Sequence, residues 1–323
     1  MKILIAGGAG FIGINLTAHL LHNYPKDAVY ILDSLRPEFK QPIDKYSERN
    51  NFSFVEGDVA DKEVVKNALS EIIPDVIINA VNTHNHNNTP EAIYLTNYYL
   101  LEAVREQQIR LHRYILLSDD EVYGDTITVE GNVHDAQEND RLNPTNPEIA
   151  ALAGADLLTT TYFLKYKIPT VVLRTANIFG DYQNTTRLLP NLITHAINNE
   201  DIPIYGDGKH TRDWLHISDL CELLSKIVQE DLPQINGETF NIATGLAHTI
   251  LETTEMILTI LNKPKELISF VKDTTPGVQR KVLDIEKSSE ILNFTPPNDF
   301  NEKLKQTIEW YQNHTDFYDE SRR

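Results

Sequence analysis

The chain has 323 residues, 41% of them hydrophobic, enough to bury a sizeable core and to suggest about two lobes at roughly 150 residues each. With 47 acidic against 29 basic side chains its net charge is -18, so it repels phosphate backbones and anionic lipid; neither nucleic acid nor a membrane is an expected partner. Its single cysteine, Cys221, excludes an intramolecular disulfide, and an anionic ligand would need local arginines or helix N-termini.

Met1 to Ala6 is apolar but short and runs at once into glycines. It reads as a first strand, not as a signal peptide or a membrane span, and a cytoplasmic location is expected. Short apolar runs follow at residues 29–32, 52–55, 76–78, 114–117 and 171–173. Most are β-branched or aromatic with little polar alternation, the pattern of strands buried on both faces of a parallel sheet. Helical periodicity lies between them, at residues 64–73 and 91–105. The alternation predicts an α/β fold, a Rossmann-type doubly wound sheet built of right-handed βαβ units. After about Thr175 proline and glycine punctuate the chain, and a smaller lobe is expected. Helices are predicted over 219–229, 249–261 and 302–313, and a strand over 239–243. The expected division is residues 1–175 with about 213–243 in the dinucleotide-binding domain, and 176–212 with 244–323 in the C-terminal lobe.

Gly7, Gly10 and Gly13 follow the first predicted strand and open a helix. Gly7 suits a tight turn, Gly10 lets a pyrophosphate reach the backbone, and Gly13 lets helix and strand pack closely. The helix start around Phe11 and Ile12 then offers unpaired N–H groups and a positive dipole end. Asp33 ends the second strand about twenty residues beyond Gly13, where a carboxylate takes ribose hydroxyls and repels a 2′-phosphate. NAD is the expected cofactor, with Arg36 close enough to keep NADP open. Asp58 and Val59, after the third strand, are expected near the adenine.

Several blocks carry a family resemblance. Gly7 to Gly13 has GxxGxxG spacing. Asp120-Glu121-Val122-Tyr123-Gly124 reads DEVYG. Arg174, Asn177 and Gly180 give RxxNxxG. Arg187-Leu188-Leu189-Pro190 is similar to KLIP, and Tyr205 to Lys209 followed by Arg212-Asp213-Trp214 gives YGDGKxxRDW. From residue 7 to 311 the chain resembles the extended short-chain dehydrogenases, above all the dTDP-glucose 4,6-dehydratases and related nucleotide-sugar dehydratases and epimerases. The resemblance implies a nucleoside diphosphate sugar as ligand, held by Asn177, Arg187, Leu189, Pro190, Arg212 and Arg280. Thr83 and His84 would line the sugar site from the polar loop 82–88. It also implies a homodimer through two helices, about 88–107 and 147–165. His84 and His86 lack a thiolate or carboxylate to complete a metal site, and no metal is expected.

The reaction implied by the resemblance needs a Thr or Ser, a Tyr and, four residues later, a Lys. The Tyr takes the proton of the sugar 4-hydroxyl while hydride leaves for NAD. In the block usually read PYxxSK this chain has Glu148 at the Tyr position and Leu152 at the Lys position. Asp119 stands at the Thr position. Tyr205 to Lys209 is a YxxxK string, but it belongs to the glycine-rich segment and reads as a coincidence. Asp119, Asp120 and Glu121 put three carboxylates at one strand end, with Glu148 expected nearby, and their mutual repulsion should raise some pKa values. The acid–base candidates are therefore Asp119, Asp120, Glu121 and Glu148, with Asp120 an acid and Glu121 a base, as the resemblance implies for elimination of water. Two readings stay open: an NAD-dependent nucleotide-sugar dehydratase or epimerase with atypical acid–base residues, or a catalytically inactive binding protein or heteromeric partner.

Overall fold

The structure is a computed structural model that describes residues 1–81, 89–126, 133–273 and 278–317. Thr83 and His84 lie outside the described residues. The chain runs β1 (Lys2–Ala6), α1 (Phe11–Asn23), β2 (Ala28–Asp33), α2 (Pro37–Asp44), β3 (Phe52–Glu56), α3 (Lys62–Ile72), β4 (Val76–Asn79), α4 (Pro90–Glu106), β5 (Arg113–Asp119), α5 (Pro147–Tyr166) and β6 (Thr170–Thr175). It continues with β7 (Asn177–Phe179), α6 (Leu188–Asn198), β8 (Ile202–Tyr205), β9 (Thr211–His216), α7 (Ile217–Gln229), β10 (Thr239–Ile242), β11 (Ala247–Thr249), α8 (Ile250–Ile260), β12 (Ile268–Val271), β13 (Arg280–Lys281), α9 (Glu286–Leu292) and α10 (Phe300–Asn313).

Seven strands form one parallel sheet in the order β10-β6-β5-β4-β1-β2-β3. This is the Rossmann-type α/β fold that the uninterrupted apolar runs predict. Alternation along β1 shows why the runs carry no polar positions. Ile3 and Ile5 join one buried cluster, with Leu16 and Leu20 of α1 and Leu220 and Leu224 of α7. Leu4 and Ala6 join another, with Leu69 of α3, Leu100 of α4 and Ala155 of α5. Both faces are thus covered by helices. Strand order reverses between β1 and β4, and in such a sheet the crevice beyond the carboxyl ends of the strands is the natural binding place.

Caps place the helix starts a residue or two before the apolar periodicity begins. The Asp61 carboxylate accepts from Glu63 N and Val64 N, Thr89 Oγ1 from Ala92 N, and Asn146 Oδ1 from Ile149 N ahead of Pro147. A third cluster, with Phe179, Leu189, Ile193, Trp214, Ile257, Ile308 and Tyr311, forms the core of the smaller lobe. β9 sits there between β11 and β13, with β7 also on it, and the chain returns to the large sheet with α7 and β10. The sequence expectations missed α2, α6 and α9 and the strands β7, β8, β9 and β11 to β13. α2 has eight residues with an internal Pro42; apart from β9 the strands have two to four residues, and the six of β9 open on three polar side chains, Thr211, Arg212 and Asp213.

Candidate functional site

Gly7 adopts φ +72, and a Cβ there would lie 2.7 Å from Val81 Cγ2. A Cβ on Gly13 would lie 2.3 Å from Gly8 O, so the start of α1 can press on the turn only without a side chain. At Gly10 the nearest atom to such a Cβ is Gly7 O at 3.5 Å, and the space above the backbone is open. Gly10 is also the N-cap of α1, whose first turn carries no acid. The Asp33 carboxylate closes the turn from β2, accepting from Ala9 N at 3.0 Å and Leu35 N at 3.1 Å. Burial pushes its pKa up, and those N–H groups and Arg36 oppose the shift.

A cleft opens here, and Gly7, Gly10, Phe11, Ile12, Asp33, Asp58 and Val59 all line it, while Gly13 packs on Gly8 behind the turn. A turn whose only side chain is the Ala9 methyl, a helix N-terminus and an acid at the end of β2 fit the adenosine diphosphate end of a dinucleotide. The Arg36 guanidinium is tied to Glu38 at 2.9 Å and stacks on Phe39, 4.8 Å from its ring centroid. Sequence reasoning missed Phe39, Gln183 and Asn184 on the cleft wall, since they come from α2 and from the segment before α6. Arg187 lines the same cleft. Its guanidinium is drawn down in pKa by burial, against the pull of Asp119 and Glu121.

The acids gather where β5 ends. Asp119 caps a short 3₁₀ turn spanning Asp120–Tyr123, its carboxylate accepting from Glu121 N at 2.8 Å. Asp120 is buried, with Lys281 Nζ 3.3 Å from Oδ1 and the Asn177 amide 3.5 Å from Oδ2. Lys281 Nζ donates to Glu121 Oε1 at 2.7 Å. Burial raises the Asp120 pKa well above the carboxylate range; Lys281 opposes this, and Asp119 and Glu121 add to it. Repulsion among bare acids is therefore not the leading cause. Instead the carboxylates face three cations: Lys281, Arg187 and Arg212. Burial lowers the Arg212 pKa, against the pull of Asp120, Glu121 and Asp125. Lys281 is the functional candidate that sequence reasoning missed. It becomes a neighbour of Arg212 only through the pairing of β13 with β9.

The other expected ligand residues spread out. Arg212 donates to Thr211 O at 2.8 Å and Val278 O at 2.9 Å. Arg280 donates to Thr126 Oγ1, His134 O and Asp135 Oδ1. Leu189 points into the core of the smaller lobe, and Pro190 is buried beside it. Tyr205 ends β8 and Lys209 pairs with Asp207 in an exposed turn, so the YxxxK string is not on a helix. No group of three or more His, Cys, Asp or Glu among the described residues could hold a metal.

Glu148 and Leu152 lie in the first turns of α5. Glu148 is half-buried. Leu152 is 0% exposed, in a cluster with Ile93, Val122, Tyr123, Ile149 and Ala176. The Tyr123 hydroxyl donates to Asn241 Oδ1 at 2.7 Å and accepts from Arg174 Nη1 at 2.7 Å, so the DEVYG tyrosine and the RxxNxxG arginine are part of the scaffold.

Comparison with known proteins agrees with this arrangement. Residues 3–243 match the model of the NAD dependent epimerase/dehydratase family. The low-salt glycan biosynthesis protein Agl12 of Haloferax volcanii is 36% identical over 322 residues, covering 96% of this chain and 98% of that one. The dTDP-glucose 4,6-dehydratase of an Actinoplanes species is 31% identical over 323 residues, covering 97% and 98%. Among solved structures, the dTDP-glucose 4,6-dehydratase of Bacillus anthracis in complex with NAD superposes with a TM-score of 0.90 at 28% identity, covering 99% of each chain. With a Rossmann sheet, a glycine turn backed by Asp33 and a family match over most of its length, this chain belongs to the NAD dependent epimerase/dehydratase family.

Proposed function

We propose that this protein binds NAD and a nucleoside diphosphate sugar in one cleft and does not perform the hydride transfer with which the family's reaction begins. The observation that carries the reading is Leu152. Where the resemblance implies a lysine, an apolar side chain is enclosed among other apolar side chains. It cannot donate to a ribose or bear charge, and a charge-assisted hydrogen bond is worth about 1.5–3 kcal/mol. NAD, when bound, supplies a hydride acceptor. On this chain the glycine turn and the N-terminus of α1 hold the phosphates and Asp33 takes ribose hydroxyls. Arg187 and Arg212, both close to the acids, are the cations that would take a diphosphate. Glu148 stands where the resemblance implies the tyrosine that takes the sugar proton, and Leu152 stands where it implies the lysine that would assist it; losing general-base help costs roughly 10²–10⁴ in rate.

The test is calorimetric titration with NAD and then, with NAD present, a panel of UDP-, dTDP-, CDP- and GDP-sugars, each mixture assayed for reduced cofactor and altered sugar. Binding without turnover is expected, and turnover of any sugar overturns the reading. A second reading, an enzyme with atypical acid–base residues, is favoured by the buried Asp120 beside Lys281. It requires turnover that Asp120→Asn or Glu148→Ala abolishes.

We further propose a cytoplasmic protein that forms a homodimer, or pairs with an active homologue, through α4 and α5. Among the described residues no helix is long and apolar enough to cross a membrane.

A further inference from the structure

Lysine is almost never fully buried unless paired. Lys281 is 4% exposed, and its ammonium is shared by two carboxylates that it does not treat alike. Glu121, 34% exposed, receives the short contact of 2.7 Å, the length of a good charge-assisted hydrogen bond. Asp120, 2% exposed, is left at 3.3 Å, with its other oxygen 3.5 Å from the Asn177 amide. The ammonium thus lies closer to the half-exposed carboxylate than to the enclosed one, which also has a side-chain hydrogen bond with Asp119. Around them stand Asp119 at the end of β5, Arg212 on β9 and Arg187 at the start of α6, with Asp125 facing Arg212.

We propose that Lys281 is the positioning residue of this site, dividing its two central carboxylates into a fixed anion, Glu121, and a proton carrier, Asp120, which takes up a proton when an anionic ligand enters. The first half follows from desolvation. Enclosure, with the adjoining Asp119 and Glu121 carboxylates adding to it, favours the neutral form of Asp120 against the pull of Lys281. The second half rests on the proposed ligand. A diphosphate settling on Arg187 and Arg212 brings negative charge close and draws off positive charge that faces the acids. Both changes favour a proton on Asp120.

The first half can be tested without ligand, by infrared titration of the protonated-carboxyl stretch. In the wild-type protein one such band should titrate above the usual carboxyl range and vanish in Asp120→Asn. Lys281→Met should move its midpoint up by more than about one pH unit, a tenfold gain in proton affinity, and add a second band from Glu121; Lys281→Arg should restore the wild-type titration. Glu121→Gln, at a half-exposed position, serves if Lys281→Met does not fold. With Lys281 left to Asp120 alone, the midpoint should fall. An unchanged midpoint in whichever of Lys281→Met and Glu121→Gln folds, or no Asp120 band in the wild type, overturns the proposal. For the second half, UDP is titrated calorimetrically in two buffers of different ionisation heat. Net proton uptake that disappears in Asp120→Asn is expected, and UDP binding without uptake overturns the ligand linkage. Failure of every nucleoside diphosphate to bind counts against the proposed function, while the infrared titration still decides the role of Lys281.

Discussion

Arg174 and Asp156 form a two-point ion pair inside the molecule, Nε to Oδ2 at 2.7 Å and Nη2 to Oδ1 at 3.0 Å. The same guanidinium donates to the Tyr123 hydroxyl and to Glu138 O, and Asp156 also accepts from Ser118 Oγ. One buried network therefore joins β5, the 3₁₀ turn that carries the acids, α5 and β6. Removing one member leaves a charge buried and uncompensated, which typically costs about 3–5 kcal/mol. Asp156→Ala should lower the unfolding free energy by that much and blur the positions of Asp120 and Glu121; replacing the pair with apolar residues should cost less. Urea unfolding of the single and double variants checks this, and equal losses in both would show that the pair carries no such penalty.

The two glycines that flank the start of α1 should separate folding from binding. Gly13→Ala places a methyl 2.3 Å from Gly8 O, a collision with backbone that only a shift of the helix relieves. It should reduce stability by several kcal/mol, since overpacking alone costs about 1–3. Gly10→Ala meets its nearest atom at 3.5 Å, so the fold is kept while the methyl stands in the phosphate approach. Thermal melting unchanged from wild type together with NAD affinity down at least about tenfold is expected; unchanged NAD affinity would mean that the phosphates lie elsewhere.

Much of this arrangement is legible in the sequence. Strands buried on both faces read as apolar runs, and the glycine turn and Asp33 act within one βαβ unit, so spacing alone brings them together. The acids at 119–121 are adjacent in sequence. What spacing cannot give is the partner of those acids. Lys281 lies on a two-residue strand whose place is set by non-local pairing with β9, and its neighbour Arg280 has the same local pattern but a different fate. Leu189 sits in a motif that resembles a ligand segment, yet α6 is amphipathic and turns it inward.

Leu152 should behave as a core residue. Leu152→Ala removes a fully enclosed side chain and should cost about 2–5 kcal/mol. Leu152→Lys alone puts an ammonium among Ile93, Val122 and Ile149 and should destabilise the protein as well. Leu152→Lys should be stable only if its ammonium reaches the cleft, and in that case NAD affinity should rise. Paired unfolding and NAD titration of the two variants check this; a stable lysine variant with no gain in affinity would contradict the part assigned to this position.

Asp181 gives a pH dependence whose sign is fixed. Burial raises its pKa from 3.8 to about 6, with His314 opposing. Between those values the folded protein keeps a proton that the unfolded chain has lost. Stability should therefore fall as pH rises from about 4 to about 6, and level off above that. In Asp181→Asn this component should vanish, while Asn15 still donates to the 181 carbonyl. Denaturant unfolding at intervals across the window decides it, and parallel curves for both proteins would remove Asp181 as the source.

The outer faces of α4 and α5 are apolar where a lone surface helix would be polar. Leu157 and Leu164, two turns apart on α5, are 58% and 63% exposed; Tyr94 and Tyr98, one turn apart on α4, are also exposed. The Tyr94 ring lies beside Gly154, where an added Cβ would sit 3.4 Å from Cδ2, so α4 and α5 approach closely and present one continuous face. Exposed apolar patches of this kind mark contact surfaces, and a two-fold pairing of this face on itself would bury both leucines and the tyrosines. Light scattering should give a dimer for the wild-type protein. Leu157→Glu with Leu164→Glu should give a monomer, because like charges would then meet across the axis in a low-dielectric contact. As neither leucine belongs to a buried hydrophobic cluster, the variant should stay folded by circular dichroism. A monomeric wild-type protein, or a dimer that survives the double substitution, would move the interface away from these helices.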